Sequence, residues 1–204
     1  MKNYSLVLAS TSPRRQELLA SLGLQFQVAP PQAAEMELPR WVGTRRLGRL
    51  VREVALAKAL DVAKRLPPQH LVVGSDTTVY CQGEILGKPT DAADAERILQ
   101  LLSGREHRVY TAVALVVSGN GLAPVTALEV SKVRFRPLSA EEIRRYIDTG
   151  EPMDKAGAYG IQGCGGLFID HIHGCFDNVM GLSLLCLSQA MAQLGLDLLD
   201  FRRG

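Results

Sequence analysis

The stretch that decides the fold is His70-Leu71-Val72-Val73-Gly74-Ser75-Asp76-Thr77-Thr78-Val79. Its apolar part, Leu71 to Val73, predicts a buried strand, because a short β-branched run that ends at glycine is more typical of strand than of helix. Asp76 then follows the predicted strand end, which is where open α/β sheets hold their ligands. A turn is an equally compatible alternative, since Gly, Ser, Asp and Thr are common turn residues.

Four basic residues elsewhere in the chain favour a binding site over a simple turn. They lie at similar boundaries between segments and are Arg14, Arg15, Lys58 and Lys88. A carboxylate among several cations is typical of a site for a metal ion and phosphate groups. The sequence therefore predicts such a site around Asp76.

The size and charge of the chain limit the classes of protein to be considered. Its 204 residues are 47% apolar, enough for one substantial core, and we expect a single domain over residues 1–204. The 23 basic and 21 acidic side chains give a net charge of +2, which is too small to indicate nucleic-acid binding by overall electrostatics. Any anion site must therefore be local.

Hydropathy and cysteine spacing point to the cytoplasm. The apolar segment after Lys2 is shorter than the core of a signal peptide, and no apolar run approaches the length of a membrane span. The four cysteines form no CxxC pair, so reduced thiols are expected. We predict a cytoplasmic protein with no membrane partner.

The first strand and helix form a second candidate phosphate site. Tyr4–Ala9 is predicted as a strand, Ser12 suits a helix N-cap and Pro13 suits the first helical position. Arg14 and Arg15 then lie at the positive end of the helix dipole, where cations are unfavourable. A bound phosphate would reverse that sign, because backbone N–H groups and guanidinium groups would converge on an anion. Two solvated surface arginines are the alternative.

Periodicity and turn signals predict the remaining elements. Helices are expected to Leu22 and over residues 47–66, 91–102, 139–148 and 180–196, and strands over 108–118, 124–135 and 167–172, with a hairpin turning at Gln82-Gly83. The segment 30–43, which holds Glu35 and Glu37, is expected to be an irregular loop. This order predicts an α/β architecture with a mixed central sheet and helices on its faces.

A glycine-rich segment, residues 154–166, has five glycines in thirteen residues. Such loops lose much entropy on ordering and are typical of places where the backbone approaches a ligand closely. A flexible linker is the alternative, although the embedded Lys155, Tyr159 and Gln162 argue against it.

Side chains of the types that bind zinc occur towards the end of the chain. They are Cys164, His171, His173 and Cys175, and their spacing matches no finger or ribbon pattern. A structural zinc site is therefore not expected. His107 and Tyr110 are compatible with either a ligand or a framework role.

Five segments in the same order together resemble one known family. They are residues 9–19 (ASTSPRRQELL), 74–79 (GSDTTV), 86–89 (LGKP), 110–113 (YTAV) and 154–163 (DKAGAYGIQG), and they resemble the Maf family of nucleotide pyrophosphatases. The resemblance extends over essentially the whole chain. It implies a Maf/ITPase-like fold with two lobes around an active-site cleft, and metal-dependent hydrolysis of a nucleoside triphosphate to the monophosphate and pyrophosphate.

The resemblance also implies roles for individual residues. Asp76 matches the general base, Lys58 and Lys88 match active-site lysines, and Glu35 matches a second active-site acid. The loop around Glu35 lacks the common family pattern, so Glu37 is an alternative to it. Ser183 stands where the family usually has proline. This departure lies at the predicted start of a helix and not at a catalytic position.

Three further positions match those by which the family selects the base, namely Arg14, Thr77 and Gln162. The combination of Asp76-Thr77 with Tyr159-Gly160-Ile161-Gln162 resembles the branch that takes dTTP and UTP rather than 7-methyl-GTP. An amide side chain offers a paired donor and acceptor, which suits hydrogen bonding to a pyrimidine.

The chemistry explains why these residue types are needed. Attack of water on the α-phosphorus requires a base, and a divalent cation, Mg²⁺ or in its place Mn²⁺ or Co²⁺, would acidify the water. Asp76 and Glu35 are predicted to share this metal. The cations Lys58, Lys88, Arg14 and Arg15 would neutralise the phosphates, and the hydroxyls of Ser10 and Ser12 would donate to them.

Other functions remain open from the sequence alone. A nucleotide-binding regulator of cell division and septum formation, with incidental hydrolysis, needs the cations but not the base. A pyrophosphatase acting on 7-methyl-GTP is a second alternative. An RNA-binding module is disfavoured by the near-neutral charge and the few aromatic residues. A homodimer is implied by the family alone.

Overall fold

The computed structural model describes residues 4–32, 36, 38–119 and 121–202. Within them a single sheet has seven strands: β1 (Ser5–Ala9), β2 (Gln27–Val28), β3 (His70–Cys81), β4 (Glu84–Leu86), β5 (Glu106–Val117), β6 (Val125–Phe135) and β7 (Ile169–His173). The α-helices are α1 (Pro13–Ser21), α2 (Thr44–Ala63), α3 (Ala92–Leu102), α4 (Ala140–Asp148), α5 (Phe176–Met180) and α6 (Leu184–Gln193). The predicted mixed sheet flanked by helices is confirmed.

The strand order creates an opening in the sheet beside β3. The main order is β2-β1-β3-β5-β6-β7, and β5 pairs with β3 along residues 71–80. On the other side of β3, parallel β1 pairs only as far as Gly74 and antiparallel β4 begins only at Val79. No strand among the described residues therefore pairs with residues 75–78 on that side.

Asp76 lies inside this long strand, so the prediction that it follows a strand end is wrong. The strand continues to Cys81 because β5 supplies a ladder that the local sequence does not reveal. What ends near Asp76 is β1, whose last paired residue is Ala9. The carboxylate consequently reaches an opening in the sheet, although it sits on regular strand backbone.

Helices cover the two faces of the sheet unequally. On one face α2 packs in an apolar cluster with residues such as Val72 and Ala114. Because side chains alternate along a strand, Leu71, Val73 and Val79 point to the opposite face. There Leu71 and Val73 belong to a cluster with α1 and α6, whereas Val79 belongs to a second cluster with α3 and α4. The two clusters form two lobes, one on either side of the opening.

Turn and capping signals are largely confirmed. The hairpin turns at Gln82 and Gly83, both with positive φ (50° and 92°), as a type I′ turn requires. Ser139 and Glu142 form the capping box that opens α4. Ser12 is the N-cap residue of α1, but its side chain makes no capping bond; instead its backbone N–H donates to Ser10 Oγ at 3.2 Å.

The predicted last helix, residues 180–196, is wrong in its extent. The chain instead forms α5 and α6, separated by Gly181, whose φ of +122° does not fit a helix. Ser183 begins α6 as its N-cap and accepts from the backbone N–H of Cys186 at 3.2 Å. The residue that departs from the family pattern therefore caps a helix.

Three features concern the described part of the chain: membrane-spanning helices, the state of the cysteines and groups of metal-binding side chains. Its helices include none that combines the length and apolar character needed to cross a bilayer. All four cysteines are free thiols. Among the same residues no group of three or more His, Cys, Asp or Glu side chains is arranged to hold a metal ion, zinc included.

Candidate active site

A cavity of about 550 Å³ opens at the part of β3 that β1 and β4 leave unpaired. Eight of the residues predicted for the site line it: Ser10, Ser12, Arg14, Arg15, Lys58, Asp76, Thr77 and Lys88. Gln162 does not line the cavity; it is exposed and follows Ile161, which does. Glu35 and its alternative Glu37 lie outside the described residues.

The central contact is an ion pair between Lys58 and Asp76. Lys58 Nζ lies 2.7 Å from Asp76 Oδ1, and the two side chains are only 17% and 12% exposed. The helix that carries Lys58 comes this close to β3 because Gly74 has no side chain. A Cβ at Gly74 would clash with the backbone carbonyl oxygen of Ala55 and would lie 2.8 Å from the Cβ of Ala59. The glycine of the fold-deciding stretch thus sets the position of the lysine.

Arg15 is bound to the protein itself on three sides. Its Nε donates to the carbonyl oxygen of Gly181 at 2.7 Å, and its two terminal nitrogens donate to Ser10 Oγ and Thr77 Oγ1, both at 3.2 Å. The guanidinium therefore joins the β1–α1 loop, β3 and the junction between α5 and α6. The sequence leaves a phosphate ligand and a solvated surface arginine as alternatives here; the structure adds a framework role.

Arg14 differs from its neighbour. Its guanidinium contacts the exposed carboxylate of Asp154 at 3.5 Å, and it is 26% exposed. Lys88 also lines the cavity and is exposed. These two cations are therefore better placed than Arg15 to meet an anion that enters from solvent.

A network of polar groups holds the Thr77 side chain in place. The carbonyl oxygen of Gly181 accepts from Thr77 Oγ1 at 3.2 Å and from Ser75 Oγ at 3.1 Å. Thr111 Oγ1 lies 3.0 Å from Thr77 Oγ1 and donates to the carbonyl oxygen of Asn178 at 2.9 Å. Sequence reasoning missed Thr111 and Asn178. The available signal was a polar residue within an apolar segment, which needs a partner when buried.

The opposite wall of the cavity is the glycine-rich segment. It follows the short 3-10 turn Glu151–Asp154 and contains a second one, Ala156–Ala158. The backbone N–H of Gly157 donates to the carbonyl oxygen of Gly87 at 3.0 Å, and a Cβ at Gly157 would lie 2.8 Å from a methyl group of Val79. This glycine approaches protein atoms, so its close approach to a ligand stays a prediction.

His107 and Tyr159 form a buried pair behind the same wall. His107 Nε2 lies 2.8 Å from the Tyr159 hydroxyl, and both rings pack edge to face against Phe135. Burial lowers the pKa of His107 to about 3, which keeps the imidazole neutral. Tyr159 lines the cavity, and His107 supports it from the core. The structure therefore favours the framework role for His107.

Comparison with known proteins identifies the family of the chain. A family model described as Maf-like protein matches residues 5–194, which include every described residue of the cavity wall. The chain belongs to the Maf family.

Three Maf family relatives, each named dTTP/UTP pyrophosphatase, are similar along nearly their whole length. The protein of Aromatoleum aromaticum is 46% identical over 199 residues, covering 93% of this chain and 95% of the relative. That of Symbiobacterium thermophilum is 49% identical over 190 residues, covering 93% and 94%. That of Moorella thermoacetica is 47% identical over 192 residues, covering 94% and 96%.

The donor groups at this Maf family site fit a hard divalent cation. Lys58 contacts one oxygen of Asp76, and among the described residues the second oxygen has no hydrogen-bond donor. Mg²⁺ is commonly held by one or two carboxylates together with the phosphates of the substrate. Two described carboxylates line the cavity, and Asp154 contacts Arg14 and Lys155. Asp76 beside Lys58 therefore suits that mode better than a preformed protein cage.

Proposed function

We propose that this chain is a nucleoside triphosphate pyrophosphatase that hydrolyses its substrate to the monophosphate and pyrophosphate. The Lys58–Asp76 pair carries the proposal, because it presents a carboxylate to a cavity lined by exposed cations. A protein that only bound phosphates would need the cations without this carboxylate. The names of the three relatives support the same reaction.

Asp76 is the general base in the proposed reaction. It would orient and deprotonate the water that attacks the α-phosphorus, a contribution of roughly a hundredfold to ten-thousandfold in rate. Lys58 holds one carboxylate oxygen, so the other is directed to the water. Because carboxylates are weak bases near neutral pH, a bound divalent cation supplies further acidification of the water.

Asp76 and Glu35 are the proposed holders of that cation. Asp76 fits the role because Lys58 contacts only one of its carboxylate oxygens, which leaves the other for the cation and for the water that the cation would bind. The assignment of Glu35, with Glu37 as the alternative, comes from the family resemblance. Mg²⁺ is the proposed ion, and Mn²⁺ or Co²⁺ would satisfy the same oxygen ligands.

The cations divide into two groups in this proposal. Arg14 and Lys88 neutralise the triphosphate and the pyrophosphate that leaves, because both line the cavity and are accessible. Arg15 acts mainly by holding Ser10 and Thr77 in place. The hydroxyls of Ser10 and Ser12 donate hydrogen bonds to phosphate oxygens at the start of α1.

The proposed substrates are dTTP and UTP. The relatives carry these substrates in their names, and Thr77 and Arg14 line the cavity as the family's base-selecting positions require. Gln162 would contribute its amide edge to the pyrimidine. Because Gln162 is exposed in the structure, this role requires its side chain to turn towards the cavity when a nucleotide binds.

Hydrolysis in ¹⁸O-labelled water tests the reaction directly. UTP, dTTP, CTP and 7-methyl-GTP are each incubated with the enzyme and Mg²⁺, and the products are resolved by ³¹P NMR and mass spectrometry. We expect pyrophosphate and a nucleoside monophosphate that carries the label, with dTTP and UTP preferred. Release of orthophosphate, or preference for 7-methyl-GTP, would contradict the proposal.

The remaining expectations about partners are also proposals. The cytoplasm, the absence of nucleic-acid partners and a homodimer are carried over from the sequence and the family. Sedimentation of the purified protein decides the oligomeric state. An RNA titration at low and high salt tests the expected absence of nucleic-acid partners. Salt-sensitive RNA binding of useful affinity would contradict it.

A further inference from the structure

Residues 155–166 form one wall of the cavity, and their backbone hydrogen-bonding groups are not paired within a long helix or the sheet. Tyr159, Gly160 and Ile161 from this segment line the cavity, yet their neighbours form only short 3-10 turns. A buried backbone N–H group such as that of Gly160 must find a partner. Here two side chains from outside the segment accept from it and from two less buried amides. They are Tyr146 at the end of α4 and Glu151 in the turn that follows.

Glu151 and Tyr146 together accept from three backbone amides of the wall. Glu151 accepts from the N–H of Cys164 at 2.9 Å and of Gly165 at 3.2 Å. The Tyr146 hydroxyl donates to Glu151 at 2.8 Å and accepts from the N–H of Gly160 at 3.2 Å. We name these two side chains the loop clamp.

The carboxylate of the clamp is held in its charged form. Burial alone would raise the pKa of Glu151, but the hydrogen bonds from Cys164, Tyr146 and Gly165 outweigh it, and the pKa lies below its usual range. Hydrogen bonds to a charged acceptor are stronger than those between neutral groups. The clamp therefore holds the wall more firmly than neutral side chains would.

The glycines of the wall are explained by their distance from the clamp. A Cβ at Gly163 would lie 2.5 Å from the Glu151 carboxylate, and one at Gly165 would lie 2.7 Å from the Tyr146 hydroxyl. At these positions the absence of a side chain lets the backbone reach its acceptors. The glycine density that suggested a nearby ligand is therefore accounted for, at these two positions, by protein contacts.

We propose that Glu151 and Tyr146 are positioning residues that determine how well the cavity discriminates between bases, by fixing the backbone from Gly160 to Gly165. The inference rests on the proposed function, in which this segment carries Gln162 and meets the base. Neither clamp residue lines the cavity, so both act through the wall. A site that selects by hydrogen bonding loses discrimination when its groups are held loosely.

The test compares Glu151→Gln and Tyr146→Phe with Glu141→Gln, an exposed neighbour on α4 that loses the same charge. The glutamine replaces one acceptor oxygen with a donor, and the phenylalanine removes the hydroxyl. For both clamp variants we expect the KM for dTTP and UTP to rise about tenfold while kcat changes little, because one hydrogen bond to a charged group is lost. Their preference for UTP over CTP should fall by a similar factor, and Glu141→Gln should match the wild type.

Amide hydrogen exchange of the unliganded protein provides a readout that does not depend on activity. The amides of residues 160–165 should exchange about tenfold faster in both clamp variants, whereas amides of β3 should not change. Unchanged protection, or an unchanged preference among bases despite faster exchange, would overturn the inference. An equal loss of kcat for every nucleotide, with lower thermal stability, would show a merely structural role and would also overturn it.

Failure of the proposed function gives a different result. Wild-type enzyme that releases no pyrophosphate from any triphosphate would contradict both the proposed function and the inference before any variant is made. Active wild-type enzyme with insensitive clamp variants would contradict the inference alone.

Discussion

The two walls of the cavity are built in different ways. Asp76 and Lys58 stand on a twelve-residue strand, which pairs with β5 along residues 71–80, and on a twenty-residue helix. The facing wall, residues 155–166, consists of short turns whose amides are bound by the side chains of Tyr146 and Glu151. The reacting groups thus lie on regular secondary structure, which we call the rigid wall. The surface proposed to select the base lies on a segment whose backbone is held by a few side chains, which we call the adjustable wall.

The largest expected effect comes from removing the base on the rigid wall. Asp76→Asn keeps the shape of the side chain and an oxygen for Lys58, but it removes the proton acceptor. We expect pyrophosphate release to fall by roughly a hundredfold to ten-thousandfold. Circular dichroism and thermal unfolding serve as controls for the fold. Activity close to that of the wild type would remove Asp76 from the role of base.

Gly74→Ala tests whether the rigid wall depends on close packing. The added methyl group meets the backbone of α2 at Ala55 and Ala59, so we expect the free energy of unfolding to fall by about 1–3 kcal/mol. Turnover should also fall, because Lys58 moves away from Asp76. Gly87→Ala is the matched control, since a Cβ there meets nothing within 4 Å. Equal stabilities of the two variants in urea titrations would contradict the packing argument.

Arg15→Lys and Arg14→Lys separate the framework role from the phosphate role. An ammonium group cannot span the three acceptors of Arg15, so we expect the free energy of unfolding to fall by about 1–2 kcal/mol and kcat/KM to fall about tenfold. Arg14→Lys should lower kcat/KM without loss of stability, because its contact with Asp154 is long and exposed. Unchanged stability of the Arg15→Lys variant would contradict the framework role of Arg15 and leave it only a role in binding the substrate.

The smallest expected effect concerns the pH dependence of stability and lies behind the adjustable wall, at His107. Its pKa is about 3 in the folded protein and about 6.5 when unfolded. As the pH falls, His107 therefore becomes protonated in the unfolded chain before it does so in the folded protein. Stability is complete above about pH 6.5 and is lost as the pH falls towards 3, by at most about 1.4 kcal/mol per pH unit.

His107→Gln should remove this part of the pH dependence of stability, and His173→Gln, at an exposed position, should keep it. Denaturant titrations at several pH values between 7.5 and 4.5 measure the slopes. Identical slopes for His107→Gln and the wild type would contradict a neutral buried imidazole.

Local chemistry was sufficient to predict much of the rigid wall. The order of strands and helices, the start of α1 at Pro13 and the hairpin at Gln82-Gly83 follow from capping, turn and periodicity signals that lie within a few residues of each other. Eight candidate site residues line one cavity, although the roles assigned to them stay predictions. The prediction that Asp76 follows a strand end is wrong because β3 continues past it by pairing with β5. That pairing joins residues far apart in the chain and leaves no local signal.

The adjustable wall could not be predicted in the same way. Nothing in the spacing of Tyr146 and Glu151 shows that their side chains meet backbone amides 13 and 14 residues further along the chain. The break between α5 and α6 at Gly181 is likewise set by distant contacts, since the carbonyl oxygen of Gly181 accepts from Arg15. Gln162 belongs to this wall and is exposed outside the cavity lining, which its position in the sequence does not reveal.

The opening beside Asp76 interrupts only one side of β3. The strands β3, β5 and β6 each contribute side chains to both apolar clusters, for example Leu71 and Val79 from β3 and Leu115 and Val109 from β5. Because the lobes share these strands rather than a connecting linker, neither lobe can melt while the other keeps its ladder intact. We therefore expect calorimetry to show one cooperative transition, with the calorimetric and van't Hoff enthalpies equal, despite the deep cleft.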